Sequence, residues 1–160
     1  MPSPADQDAC ELLDADHLAV KHLFVEYARL AMLPSAPGAD ARHAIASKIC
    51  DELTVHAQIE EEIFYPALQR AVPDASDILE EARDEHRQAK DMIARLRGME
   101  EADAAMDALV AELNWAIEHH VKEERDELFP KARSAQGLNL EEVARQLRQR
   151  QEALQAEMAA

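Results

Sequence analysis

The chain has 160 residues, of which 48% are hydrophobic and 31% are charged, and its formal net charge at pH 7 is -16. A chain of this length fits one domain with one core, and its negative charge disfavours nucleic acid or an anionic membrane as a partner. No apolar run approaches the length of a membrane span, and residues 1–7 lack the basic start of a signal peptide. We therefore expect a cytoplasmic protein.

Apolar residues recur at intervals of three and four along the chain, which predicts an all-helical (all-α) fold. The first helix is expected over about residues 9–33, with His17 on its apolar face. It ends at the segment 34–40, which contains two prolines and a glycine. The second helix is expected over about residues 41–71, and Pro66 inside it should kink it or end it early.

The third and fourth helices follow the same spacing. Asp74 or Ser76 is expected to cap the third helix, which carries His86 on its apolar face and stops at Gly98. The fourth helix should span roughly residues 102–134. We expect these four helices to form an antiparallel up-down four-helix bundle, because short connections make successive helices antiparallel neighbours.

A fifth, very polar helix is expected after Gly137, with Asn139 and Glu142 at the spacing of a capping box. The predicted organisation is a four-helix bundle over residues 9–135, followed by an accessory C-terminal helix over residues 138–158. This last helix could cap the bundle or make a dimer contact, so a monomer and a homodimer both remain compatible with the sequence.

One pattern occurs twice, as HAQIEEEIFYP over residues 56–66 and as HVKEERDELFP over residues 120–130. In each copy a glutamate follows a histidine by four residues, which places both side chains on one face of a helix. That face is the apolar one, and a glutamate buried there without a partner costs several kcal/mol. Two buried glutamates, each beside a histidine, favour a metal ion as the partner.

Distances along the chain predict that these motifs meet at one level of the bundle. In antiparallel helices, two residues lie at the same height when they are equidistant from the turn that joins the helices. Each of the three hairpins passes this test. No residue is singled out as catalytic, and the candidate metal ligands are His17, His56, Glu60, His86, His120 and Glu124.

The candidate ligands form two similar halves. Asp16-His17 resembles Glu85-His86, each pair is followed by a lysine four residues on, and each unit precedes one copy of the motif. The repetition supplies four imidazoles and two carboxylates, a set that suits two transition-metal ions better than one. Imidazole with carboxylate favours iron, zinc or manganese.

The pattern of ligands, with YP and FP after the two glutamates, resembles the hemerythrin-like HHE cation-binding family over about residues 11–133. The resemblance implies a four-helix bundle with a non-heme di-iron centre, in which two carboxylates and an oxo or hydroxo group bridge the irons. It implies that Glu60 and Glu124 bridge the two irons, that His17 and His56 bind one iron, and that His86 and His120 bind the other.

One position departs from the oxygen-carrying members of that family. They have a further histidine one turn after the third-helix histidine, where this chain has Lys90. Without that ligand the resemblance implies a reversible oxygen carrier less strongly, and both irons could keep a position for a small ligand. Tyr65 and Lys90 are the two candidates that could fill the position instead.

Several functions stay open at this point. The first is a di-iron protein that binds or reacts with dioxygen or related small oxidants, such as peroxide or nitric oxide. The alternatives are a peroxide-dismutating enzyme, an iron storage or repair protein, and a structural di-zinc bundle, so the sequence does not decide whether the protein is an enzyme. Steady oxygen release from peroxide, transfer of labile iron, or redox silence would distinguish them.

The remaining histidines and the two cysteines receive ordinary roles. His22, His43 and His119 fall on polar helix faces. Cys10 and Cys50 lie on opposite sides of the ligand level, about 20 Å apart along the bundle axis, which is too far for a disulfide. This agrees with a reducing cytoplasm, and Cys10 is expected to be an exposed thiol.

Overall fold

The computed structural model of the protein describes residues 7–33 and 37–159, without the side chains of residues 37 and 38. The regular elements in these residues are helical, which confirms the all-α prediction, and none of these helices is long and apolar enough to cross a membrane. Residues 34–36 of the predicted break lie outside the described residues. The α-helices are α1 (Ala9–Ala31), α2 (Pro37–Ile59), α3 (Tyr65–Ala71), α4 (Ser76–Arg97), α5 (Ala104–Glu123), α6 (Phe129–Ser134) and α7 (Leu140–Ala159).

Two of the helical rods contain a wider, π-helical turn, at Glu60–Phe64 between α2 and α3 and at Glu124–Leu128 between α5 and α6. The residue after each turn donates its backbone N–H to the carbonyl five residues back. The next residue is Pro66 or Pro130, which has no N–H for the α-helical pattern, and this explains why the turn widens here. The second helix therefore does not end at Pro66, one of its two predicted outcomes, but continues to Ala71.

The rods α1, α2–α3, α4 and α5–α6 form the predicted bundle, and α7 packs against α1 and α2. The helix α7 runs along the side of the bundle: Arg150 contacts Glu62, while Met158 near its end lies beside Lys48. It buries an apolar stripe formed by Val143, Ala144, Leu147 and Leu154.

The core consists of two apolar clusters with a polar layer between them. Along α1, for example, His17 lies between Leu13 of the first cluster and Val20 of the second. Each fully buried aliphatic or aromatic side chain contributes about 1.5 to 3 kcal/mol to folding, so both clusters hold the polar layer firmly in place. Large members are Leu13, Ile59, Phe64 and Leu79 in the first cluster, and Phe24, Ile49, Ile93 and Leu113 in the second.

The helix ends follow the sequence signals in part. Gly98 caps α4 as predicted, and the Asn139 side chain accepts a backbone hydrogen bond at 3.1 Å as α7 begins. The predicted cap at the start of α4 is wrong, because neither Asp74 nor Ser76 provides it. Instead Pro73–Ala75 forms a 3-10 turn whose last residue takes the capping position without a side-chain hydrogen bond.

Cys10 and Cys50 are both free, buried thiols. The expectation that Cys10 is exposed is wrong: it is 0% exposed within the first apolar cluster, and this burial raises its pKa to about 12. The apolar spacing within α1 could not reveal this, because α7 packs on α1 and shares that cluster.

Candidate metal centre

Six buried polar side chains lie together in the middle of the bundle, and they are the six singled out from the sequence. The two glutamates are 0% exposed, and the four histidines are at most 7% exposed. The helices α1 and α4 each contribute one histidine, and each rod with a π-helical turn contributes a histidine and a glutamate. The exposed histidines are His22, His43 and His119, whereas the buried set is His17, His56, Glu60, His86, His120 and Glu124.

The buried histidines form two pairs that face each other through their Nε2 atoms. His17 Nε2 lies 3.0 Å from His56 Nε2, and His86 Nε2 lies 3.1 Å from His120 Nε2. In both pairs the ring centroids are 4.7 Å apart and the ring planes meet at 61°. The two halves of the chain thus build the same arrangement twice.

The two glutamates join the histidine pairs. Glu60 Oε1 lies 3.2 Å from Nε2 of His56 and 3.2 Å from Nε2 of His86. Glu124 relates in the same way to the other two histidines, with 3.1 and 3.2 Å from its Oε1 to their Nε2 atoms. Each carboxylate therefore reaches one histidine of each pair, which is where a ligand shared by two ions would lie.

An acidic side chain faces the outer ring nitrogen, Nδ1, of each buried histidine. The distances from Nδ1 to the carboxylate oxygen run from 2.7 to 3.4 Å. Such partners keep the proton on Nδ1 and direct the lone pair of Nε2 toward the centre, as is usual for histidines that bind metals. The pairs are Asp14 with His17, Asp16 with His56, Glu61 with His86, and Glu85 with His120.

The inward-facing nitrogen and oxygen atoms carry lone pairs that repel one another, so a positive charge is needed between them. Lone pairs on two Nε2 atoms 3.0 Å apart repel unless a proton or a metal ion lies between them. Two atoms that bind one transition-metal ion at about 2.1 Å, at right angles, are themselves about 3 Å apart. Glu60 Oε2 and Glu124 Oε1 are also buried and accept no hydrogen bond from the described residues, although Nε2 atoms lie 3.1 and 3.2 Å from Glu124 Oε1. The donor set therefore fits metal ions of the iron, zinc or manganese class.

The charges at the site favour the charged form of both His56 and Glu60, which raises the pKa of the histidine and lowers that of the carboxyl. Burial alone would lower the pKa of His56, but the Glu60 carboxylate and the hydrogen bond to Asp16 raise it to about 10. For Glu60, burial favours the neutral acid, yet His56 and the hydrogen bonds around it hold the pKa of its carboxyl well below the usual range. The site thus attracts either protons onto its histidines or a metal cation.

The π-helical turns place one aromatic ring beside each histidine pair. Tyr65 follows its glutamate by five residues, and the wider turn returns it to the face that the glutamate occupies. Its hydroxyl lies 3.3 to 3.4 Å from four atoms of the candidate ligands, including the Nε2 atoms of His86 and His120. Phe129 holds the equivalent position in the other half and stacks on His17. One half therefore has a phenol oxygen where the other has none.

Of the two candidates for the missing ligand position, the structure brings Tyr65 to the site. Burial and the neighbouring glutamates raise the pKa of its phenol, which keeps its proton unless a cation binds close by. The Lys90 side chain is 54% exposed, and its Nζ lies 3.2 Å from Glu61 Oε2. Lys90 therefore contacts the carboxylate behind His86 rather than the inward-facing atoms.

A small apolar cavity lies against all four buried histidine rings. Its volume is about 30 Å³, and one water molecule occupies roughly 10 to 15 Å³ on the same scale. The cavity has room for a diatomic molecule or hydrogen peroxide. Its aliphatic walls include Val20, Leu53, Ala89, Ile93, Ile117 and Val121.

Sequence reasoning missed the carboxylates behind the histidines. Two of them, Asp16 and Glu85, had a visible signal because each directly precedes a candidate ligand histidine in the chain. Each of them, however, serves the histidine of the neighbouring helix, which only the packed structure shows. Glu85, His119 and Glu123 also form a second, partly exposed group of possible metal donors. This group lies behind the buried cluster.

Comparisons with known proteins bear on the family and on the fold. Residues 8–132 match the hemerythrin HHE cation binding domain. A crystal structure of a hemerythrin HHE cation binding domain-containing protein from Mycobacterium kansasii aligns with a TM-score of 0.73, over 94% of this chain and 89% of that chain, at 24% sequence identity. A likeness at that identity shows the fold. A comparison with curated proteins finds no match.

Proposed function

The chain belongs to the hemerythrin HHE cation binding domain family, and from that membership we propose that it holds two iron ions and binds or reacts with dioxygen or a related small oxidant. The donor set is the observation that carries this proposal. Four inward-facing imidazole nitrogens meet two buried carboxylates, and each carboxylate has an oxygen 3.1 to 3.2 Å from one histidine of each pair.

In this proposal each histidine pair would hold one ion, and the two glutamates would serve both ions. The acids on the Nδ1 atoms keep the rings oriented and make the Nε2 atoms better donors. Bound iron would supply one-electron redox chemistry, which zinc in the same donors would not. His17 and His56 would hold one ion, His86 and His120 would hold the other, and Glu60 and Glu124 would bind both.

The cavity beside the histidine rings supports a small ligand. Its volume of about 30 Å³ and its aliphatic walls admit dioxygen, nitric oxide or peroxide and provide few polar partners for anything larger. Tyr65 adds a donor oxygen at His86 and His120, whereas Phe129 adds none at the other pair. An ion held by His17 and His56 would therefore have more room for a small ligand than one held by His86 and His120.

The proposal is tested by loading the protein with ferrous iron without oxygen and then adding dioxygen, peroxide or nitric oxide in separate runs. We expect about two irons per chain to respond. His86→Ala should lower that number to one or none, and His22→Ala, at an exposed histidine, should leave it unchanged. Iron that passes readily to an iron-free acceptor would favour storage or repair, and tightly held zinc with no response would favour a structural site.

Peroxide dismutation is a second candidate, and the phenol of Tyr65 favours it. The reaction converts two peroxide molecules to dioxygen and two waters, so protons must move between the two substrate molecules. Tyr65 places a proton-bearing oxygen within 3.3 to 3.4 Å of the ligand atoms. Steady oxygen release that is lost in His86→Ala and slowed in Tyr65→Phe would support this function, and release at the rate of free iron would exclude it.

A further inference from the structure

The side of α7 that faces the bundle includes a polar, half-buried residue, Gln151. Ala144, Leu147 and Leu154 are buried against the bundle. Gln151 lies four residues after Leu147 and three before Leu154, so it shares their face. A half-buried amide on this face lies within reach of hydrogen-bond partners on the bundle.

The partner of Gln151 is one of the carboxylates behind the histidines. Gln151 Nε2 donates to Asp16 Oδ2 at 2.9 Å, and the same oxygen lies 3.4 Å from Nδ1 of His56. A carboxylate only accepts hydrogen bonds, so the amide must turn its Nε2 toward Asp16. His56 Nε2 in turn faces His17 Nε2 at 3.0 Å. A line of contacts therefore runs from α7 through α1 to a candidate ligand on α2.

We propose that Gln151 is a positioning residue, which holds Asp16 so that Asp16 orients His56, and that α7 thereby sets how tightly one of the two ions is held. The inference rests on the proposed function, since it needs an ion at His17 and His56. The Asp16 side chain is 22% exposed and its contact with His56, at 3.4 Å, is long. Without the hydrogen bond from Gln151, Asp16 can turn toward water and leave His56 without its partner.

In the other half of the centre, a residue of α5 rather than α7 supports the equivalent carboxylate. Glu85 corresponds to Asp16 and lies 2.7 Å from Nδ1 of His120. Its second oxygen lies 3.5 Å from Nε2 of His119, which is on α5 together with His120. The influence of Gln151 should therefore be confined to one ion. A general loosening of the bundle would instead affect both.

Gln151→Met removes the hydrogen bond to Asp16 while keeping a flexible side chain of similar length at this half-buried position. The full chain is loaded with ferrous iron without oxygen, and release of iron to an excess of a coloured ferrous chelator is followed in time. Loss of the outer partner of a metal-bound histidine typically weakens metal binding about 10- to 100-fold. We expect half of the iron to leave at least about tenfold faster than in the wild type, and the other half to leave at the wild-type rate. Mössbauer spectra should change for one of the two irons.

Arg150→Met is the matched control. Arg150 Nε contacts both carboxylate oxygens of Glu62, at 3.1 and 3.2 Å, one residue away from Gln151. Its loss weakens the docking of α7 without removing a contact to Asp16, so both irons should leave at the wild-type rate. Unchanged release from Gln151→Met, or equal acceleration in both variants, would overturn the inference alone. A wild-type protein that binds fewer than two irons would overturn the proposed function and this inference with it.

Discussion

Replacement of either buried glutamate, Glu60 or Glu124, should lower the metal content of the protein and the stabilisation that bound metal provides. Glu60→Gln and Glu124→Gln each keep the side-chain volume but remove a carboxylate that reaches both histidine pairs at 3.1 to 3.2 Å. At free iron about 100-fold above its dissociation constant, one bound ion stabilises a fold by about 2.7 kcal/mol, and two ions by about 5 kcal/mol. For a chain of this size 1 kcal/mol shifts Tm by about 2 to 4 °C. The wild type should therefore gain roughly 10 to 20 °C on loading.

The assay pairs a thermal melt, with and without ferrous iron, with metal analysis of the same samples. Each variant should bind one iron or none and should gain at most about half of the wild-type shift. Glu127→Gln is the control, because Glu127 is exposed in the same π-helical turn as Glu124 and its loss changes the net charge equally. If both Glu60→Gln and Glu124→Gln kept two irons and the full shift, the assignment of these carboxylates as shared ligands would be wrong.

Further predictions concern the phenol, the protons and the buried thiol. Tyr65→Phe should abolish any phenolate-to-iron absorption band while leaving two irons bound, and an unchanged spectrum would show that Tyr65 is not a donor. The pKa of His56 is raised to about 10 without a cation, so an ion must displace its proton, and apparent affinity in chelator competition should rise up to about tenfold per pH unit for each proton released. In the metal-free protein the free energy of unfolding should change with pH in the opposite direction. The stability that charged His56 contributes is fully present below its unfolded pKa of 6.5 and is lost as the pH rises through about 10. If the Tm of the metal-free protein does not fall between pH 6.5 and about 10, the raised pKa of His56 would be contradicted. Burial raises the pKa of Cys10 to about 12, so a thiol reagent should label it only slowly before unfolding, and rapid labelling in the folded protein would refute its burial.

The helices and the inward-facing candidates could be predicted from the sequence because both depend on local spacing. An apolar stripe with a period of three and four fixes which face of a helix turns inward, and this placed His17 and His86 without any knowledge of neighbours. The spacing of four residues did the same for His56 and Glu60. The common height of these residues followed from the lengths of the hairpins.

Features that depend on contacts between distant segments could not be predicted in this way. In a regular α-helix the residue five positions after Glu60 points away from it, so the sequence named Tyr65 as a candidate but could not place its hydroxyl at the site. The position of Asp16 behind His56, and of Gln151 behind Asp16, depends on how three helices pack. The same packing of α7 on α1 buries Cys10, which the sequence alone made appear exposed.

The central claim is that the six buried residues hold two redox-active iron ions, and metal analysis combined with visible spectroscopy tests it most directly. The protein is produced in iron-fed cells, and its spectrum is recorded as purified, after reduction, and after return to air. We expect about two irons per chain, with charge-transfer bands that bleach on reduction and return with air. Two zinc ions without a visible band would contradict the redox function while keeping the donors, and a protein without stoichiometric metal would contradict the site itself.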